Sequence, residues 1–157
     1  MEAKEDVPQE ETKAFGIKID GKAVAQQTHD TLKKEVEELK GTLPTDSPCL
    51  GFVLVGERED SKLYVKMKKK ACEEIGIAIK GKDFPEDATE EDVAAFVQEL
   101  VADPAVHGIL VQLPLPKHMN EEKILHMIGK DKDVDGLHPG NVADLVMRGK
   151  EPKFVPC

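Results

Sequence analysis

Short continuous apolar runs alternate along this chain with longer stretches in which apolar residues recur every three or four positions. Leu50–Val55 and His107–Val111 are runs too short for a helix, which predicts buried strands, and Ile77–Phe84 predicts another. Asp20 is placed to cap a long helix with Val24, Leu32, Val36 and Leu39 inward, Thr28 on the same stripe and Gly41 at its end. A second helix, capped by Asp60 or Ser61 and closed by Gly76, offers Leu63, Met67 and Ala71 as its buried stripe. Thr89-Glu-Glu-Asp92 has the form of a capping box and opens a third helix with Val93, Phe96, Val97 and Leu100 inward. Asn120 caps a short helix through Ile128, and a last helical turn or two covers about 141–148. Phe15–Ile19 reads as a brief extended piece. Strands separated by helices predict an α/β fold: one domain, a mostly parallel sheet, helices on both faces and three αβα layers.

Composition narrows the function. The chain has 157 residues, enough for one domain with its own core. With 22 Lys+Arg against 31 Asp+Glu, the formal net charge is −9, and aromatic residues make up only 4%. That balance argues against a nucleic-acid binder. No apolar stretch approaches the roughly 20 residues that span a bilayer. The acidic opening, MEAKEDVPQEETK, has the character of neither a secretory signal nor a transit peptide. Residues 1–14 read as a flexible acidic tail and 15–157 as the folded domain. Cys49, Cys72 and Cys157 are odd in number and widely spaced, giving neither a disulfide framework nor a zinc cluster. A reducing, cytoplasmic setting is the expectation, with an organelle left open.

Several motifs tempt and fail. Gly16-Ile-Lys-Ile-Asp-Gly21-Lys22 and Gly76-Ile-Ala-Ile-Lys-Gly81-Lys82 have P-loop spacing, but Ala23 and Asp83 stand where the Ser/Thr ligand of Mg²⁺ belongs. Asp131-Lys-Asp133-Val-Asp135-Gly136 opens like a calcium loop, yet Val142 holds the twelfth position and Pro139 interrupts it. An Asp-rich turn closed by Asp-Gly is the better reading. No G-x-G pair occurs, so a dinucleotide fingerprint is missing. The histidines at 29, 107, 118, 126 and 138 lack metal-ligand spacing and suit surface or capping roles.

One constellation survives. Tyr64 and Lys68 lie four apart on the second helix and share a face. Lys62, Lys66, Lys69 and Lys70 point mostly to water, whereas Lys68 borders the core face, where desolvation and neighbouring positive charge would tune it for proton transfer. Ligands of a parallel sheet bind beyond the carboxyl ends of its strands. The helix bearing Tyr64 and Lys68 starts at that edge, and Gln112 stands at the carboxyl end of the His107–Val111 run. Pro114 and Pro116 stiffen the loop that follows. Asp135, in its tight turn, is expected to return to the same rim.

These residues sit in segments that are recognisable. Ile19-Asp-Gly-Lys22, Ser61-Lys-Leu-Tyr64-Val-Lys-Met-Lys68, Glu73-Glu-Ile-Gly76, Gly108-Ile-Leu-Val-Gln-Leu-Pro-Leu-Pro116, Lys132-Asp-Val-Asp-Gly136 and Phe154-Val-Pro-Cys157 run in order from about residue 16 to the end. In them the chain resembles the bifunctional methylenetetrahydrofolate dehydrogenase/methenyltetrahydrofolate cyclohydrolase family. The resemblance implies oxidation of 5,10-methylenetetrahydrofolate with NADP, followed by hydrolysis of the methenyl product to 10-formyltetrahydrofolate. It makes Lys68 the general acid/base and has Tyr64 stack on the folate and help place Lys68. Gln112 would hydrogen-bond Lys68, Asp135 would accept hydrogen bonds from the pterin, and Ser61 would support the helix start or Lys68.

By the same resemblance a Rossmann-type NADP domain follows the Pro-Cys segment in the family, so this chain is expected to be the folate-binding N-terminal catalytic domain alone. A homodimer is implied for the full-length enzyme. Two other readings compete. A short-chain dehydrogenase also uses Tyr-x-x-x-Lys but needs a glycine-rich cofactor turn that this chain lacks. A non-catalytic folate-binding or dimer-partner module would keep the site without the turnover.

Overall fold

The structure, a computed structural model, describes residues 16, 19–43 and 45–155. The sequence readings for residues 1–14, for most of Phe15–Ile19 and for Cys157 lie outside them. Three strands, β1 (Cys49–Val55), β2 (Ala78–Phe84) and β3 (Gly108–Val111), form a parallel sheet in the order β2-β1-β3. Phe52 of β1 is level with Gly81 and Leu110, and Val53 with Lys82 and Val111. The sequence runs limit each strand to within one residue of its observed end.

The chain steps from β1 to one side through α2 (Glu59–Ile75) and β2, then to the other side through α3 (Glu90–Ala102) and β3. Right-handed crossovers in opposite directions put α2 and α3 on opposite faces. Side-chain alternation agrees. Val53 and Val55 pack with Val93, Val97 and Leu100 of α3 and Ile124 of α4 (Glu121–Ile128), while Phe52 and Leu54 meet Val65 of α2. The expected three layers are therefore present.

Local signals set the helix ends. Asp20 accepts from the Lys22 and Ala23 N–H groups at the start of α1 (Gly21–Leu39). Thr89 accepts from the Asp92 N–H, and Asn120 from that of Lys123. Gly76, at φ 89°, closes α2 with the left-handed conformation that a side chain resists.

Four sequence expectations need correction. The stripe of α1 is not inward as a whole: among Val24, Leu32, Val36 and Leu39 only Val36 is buried, because α1 packs chiefly on α2. α2 begins at Glu59 with Arg58 at the cap position, so Asp60 and Ser61 lie inside the first turn. There Asp60 complements the free N–H groups of the helix start and accepts from the Ser61 N–H. Arg58 and that N–H hold the Asp60 carboxyl down at about 2. The last helix, α5, is Pro139–Val146, two residues earlier than expected, because Pro139 suits a first helical position and His138 Nδ1 accepts from the Gly140 N–H. The fourth correction concerns the face of α2 that carries the site.

Candidate active site

The buried stripe of α2 is not Leu63, Met67 and Ala71. Ser61, Val65, Cys72 and Ile75 are buried, and Leu63 and Met67 are 58% and 59% exposed. Positions 61, 65, 68, 72 and 75 repeat with helical period, so half-buried Lys68 lies on the core-facing stripe itself. Its stem lines an apolar crevice with Leu50, Phe52, Val65, Cys72 and Leu110. Burial raises the Cys72 thiol pKa in the same place. Lys69 lies with its ammonium 4.2 Å from the centre of the Phe52 ring, and Lys66 and Lys70 are exposed.

Lys68 Nζ donates to Gln112 Oε1 at 3.1 Å, a contact between residues 44 apart in sequence. Gln112 continues the ladder one rung past β3, where its N–H donates to the Val53 carbonyl at 2.9 Å. Its Nε2 donates to the Leu113 carbonyl at 2.9 Å, which leaves Oε1 as the end that faces the lysine. The pair stands between the carboxyl ends of β1 and β3. The neighbouring strands β1 and β3 are followed by helices on opposite faces, α2 and α4, which makes this a topological switch point, where open α/β sheets take ligands.

Tyr64 lies one turn before Lys68 and is 59% exposed, so its ring is free to stack on a ligand. Ser61 is buried on the Lys68 stripe two turns earlier. Asp135 is half-buried at a corner of the turn closed by the Gly136 N–H donating to the Asp133 carbonyl at 3.3 Å. That turn is tied to β3 by a parallel bridge between Asp133 and Ile109. Lys68 and Gln112 are thus in contact. Neither Tyr64 nor Asp135 hydrogen-bonds to them among the described residues.

The rest of the Lys-Asp-Val-Asp-Gly segment holds this turn in place, which the sequence reading missed. Lys132 Nζ donates to the Val101 and Asp103 carbonyls at 2.8 and 2.7 Å, capping the end of α3. Asp133, 1% exposed, accepts from the His138 N–H at 2.8 Å and from Asn141 Nδ2 at 2.9 Å. Val134 rests over Gly108, where a Cβ would come within 2.4 Å of its Cγ1. The signal available in the sequence was the spacing of Asp133, His138 and Asn141 on either side of Pro139.

A model of the tetrahydrofolate dehydrogenase/cyclohydrolase catalytic domain matches residues 19–135. The chain belongs to this family. Bifunctional protein FolD 4, chloroplastic, of Arabidopsis thaliana is 50% identical over 94% of this chain and 41% of its own length. C-1-tetrahydrofolate synthase, cytoplasmic, of Saccharomyces cerevisiae is 43% identical over 90% of the chain and 15% of its own length. The solved methylenetetrahydrofolate dehydrogenase-cyclohydrolase of Trypanosoma brucei, complexed with NADP cofactor and inhibitor, aligns with a TM-score of 0.85 at 37% identity. It covers 90% of this chain, which covers 48% of it. The chain therefore spans less than half the length of these relatives.

The helix starts differ in their fitness for a phosphate: α1 and α5 have no acid in the first turn. α2, α3 and α4 all carry acids in their first turns, which repel a pyrophosphate. Gly76–Lys82 is a helix cap running into β2, not a phosphate loop.

Proposed function

We propose that this domain, residues 15–157, binds a one-carbon folate at the α2–β3 rim and hydrolyses 5,10-methenyltetrahydrofolate to 10-formyltetrahydrofolate. The observation that carries the reading is the Lys68–Gln112 contact at the switch point. In this mechanism water attacks the electrophilic methenyl carbon and its proton passes to the Lys68 amine. The bond from that carbon to N5 then breaks, and the Lys68 ammonium returns a proton to N5. One proton is released overall. Gln112 Oε1 holds the Lys68 amine in place by accepting from one of its N–H groups. Tyr64 stacks on the folate and places it against Lys68. Asp135, an acceptor-only carboxylate, takes the pterin N–H groups, and Ser61 supports the start of α2. General base catalysis of this kind contributes about 10²–10⁴-fold. No hydride step is assigned to these residues.

For the whole enzyme we infer a dehydrogenase partner reaction with NADP, a homodimer, and a cytoplasmic setting. No helix among the described residues is long and apolar enough to cross a membrane.

Replacing Lys68→Met should slow methenyltetrahydrofolate hydrolysis at least about 100-fold, followed by loss of the methenyl absorbance. Binding of 5-formyltetrahydrofolate should stay largely intact. Wild-type turnover by this variant would refute the role of Lys68. A second reading, a folate-binding module without turnover, is favoured by the uncovered Leu63, Tyr64 and Met67 beside the site. Tight binding with no hydrolysis by the unsubstituted chain would select it.

A further inference from the structure

We propose that the buried Asp133–Asn141 pair is the positioning device for Asp135, setting folate affinity without touching the folate. The inference rests on the reading of Asp135 as the pterin acceptor. Asp133 is withdrawn from water, and among the described residues no cationic side chain pairs with it. Burying a carboxylate without a counter-charge is costly, and an apolar side chain would fill the same space without that cost. What the carboxylate adds is direction. Its Oδ2 gathers two donors, the His138 N–H and Asn141 Nδ2, while Asn141 Nδ2 also donates to the Lys130 carbonyl at 3.0 Å.

Residues 130, 133 and 138 are thereby drawn to one point, and the backbone between 133 and 138 has to arch outward with Asp135 near its middle. The residues flanking Asp135 are fixed as well. Val134 is seated over Gly108, and Gly136 takes φ 71°, a conformation that favours glycine. Asn141 is fully buried, and among the described residues no side chain or backbone group meets its Oδ1. Leaving a buried acceptor unmet is unfavourable. The amide therefore contributes through the two bonds that its other end makes, both of which act on the arch.

The test is a double-mutant cycle in the full 157-residue chain, read as 5-formyltetrahydrofolate affinity by calorimetric titration. Every variant is first checked for a cooperative melt. Asp135→Asn and Asn141→Ala should each weaken binding about tenfold. The double variant should bind within about threefold of Asp135→Asn alone, because a positioning residue has nothing left to position. Asp133→Asn, whose amide oxygen can take both donors, should bind within about threefold of wild type.

Multiplying losses in the double variant would overturn the proposal, as would a folded Asn141→Ala chain that binds like wild type. Weak binding by folded Asp133→Asn would overturn it too. If Asn141→Ala does not melt cooperatively, Asn141→Ser replaces it, and unfolding of both assigns the pair a structural role alone and ends the proposal. Failure of the underlying reading looks different. It shows as an unsubstituted chain that does not bind, or as Asp135→Asn binding unchanged, before any Asn141 variant enters the cycle.

Discussion

On the α3–α4 side of the sheet, Val53, Val93, Val97, Leu100, Ile109 and Ile124 close on one another with no measurable exposure, whereas on the α2 side only Phe52, Leu54 and Val65 form a buried cluster. The denser side also ties its helices together through Glu90 and Lys123 at 2.5 Å. The thinner side holds the proposed proton-transfer residue in a crevice and leaves Leu63, Tyr64 and Met67 uncovered. One face secures the sheet and the other presents a half-dry lysine to it. The separation matters because Lys68 occupies a core position where an apolar residue would pack better but could not take the proposed proton-transfer role.

Core truncation tests that contrast most severely. Leu100→Ala should cost about 2–5 kcal/mol in a urea melt, and Val65→Ala only about 1–2 kcal/mol, since it removes less from a shallower cluster. Equal losses would break the comparison. Overpacking the thinner face comes next. A Cβ on Gly81 would lie 2.0 Å from two atoms of the Phe52 ring. Gly81→Ala should therefore cost about 1–3 kcal/mol and disturb the crevice under Lys68; an unchanged melting temperature would show that Phe52 moves freely.

Acid should act more gently, and on both sides, since the Asp60 carboxyl on α2 is depressed as well. Lys123, with the Asn120 N–H, lowers the Glu90 pKa, and Lys80, with the Ala105 N–H, lowers that of Asp103. A carboxylate with a depressed folded-state pKa contributes stability that is present above its unfolded value, about 4.3 for Glu and 3.9 for Asp. That stability is lost as pH falls through the folded value. Melting temperature should thus be flat near neutrality and decline below about pH 4. Lys123→Met should shrink the decline, and an identical acid profile would remove Glu90 from the account.

Much of the fold was legible because strand length, capping residues and closing glycines act locally. Asp20, Thr89, Asn120 and Gly76 do in the structure what their sequence positions suggest. The buried face of α2 was not legible. Hydropathy favours Leu63 and Met67, but the stripe that meets the sheet contains Ser61 and Lys68 and is disguised by its polar members. Topology put Lys68 and Gln112 on one rim, where ligands of such sheets bind, and the family resemblance implied the hydrogen bond between them. The clamp around Asp135 escaped notice for a different reason. Its members, Lys132, Asp133, His138 and Asn141, work through carbonyls and N–H groups that only the folded backbone brings together.

The outer position of β2 carries one more consequence. Its far edge is unpaired among the described residues, and Lys80 and Lys82 stand exposed along it. Lysines on such a border discourage a neighbouring molecule from adding its own strand. Neutralising them, as acetylation would, should take away that deterrent together with the Lys80–Asp103 pair, and leave the border open to an added strand.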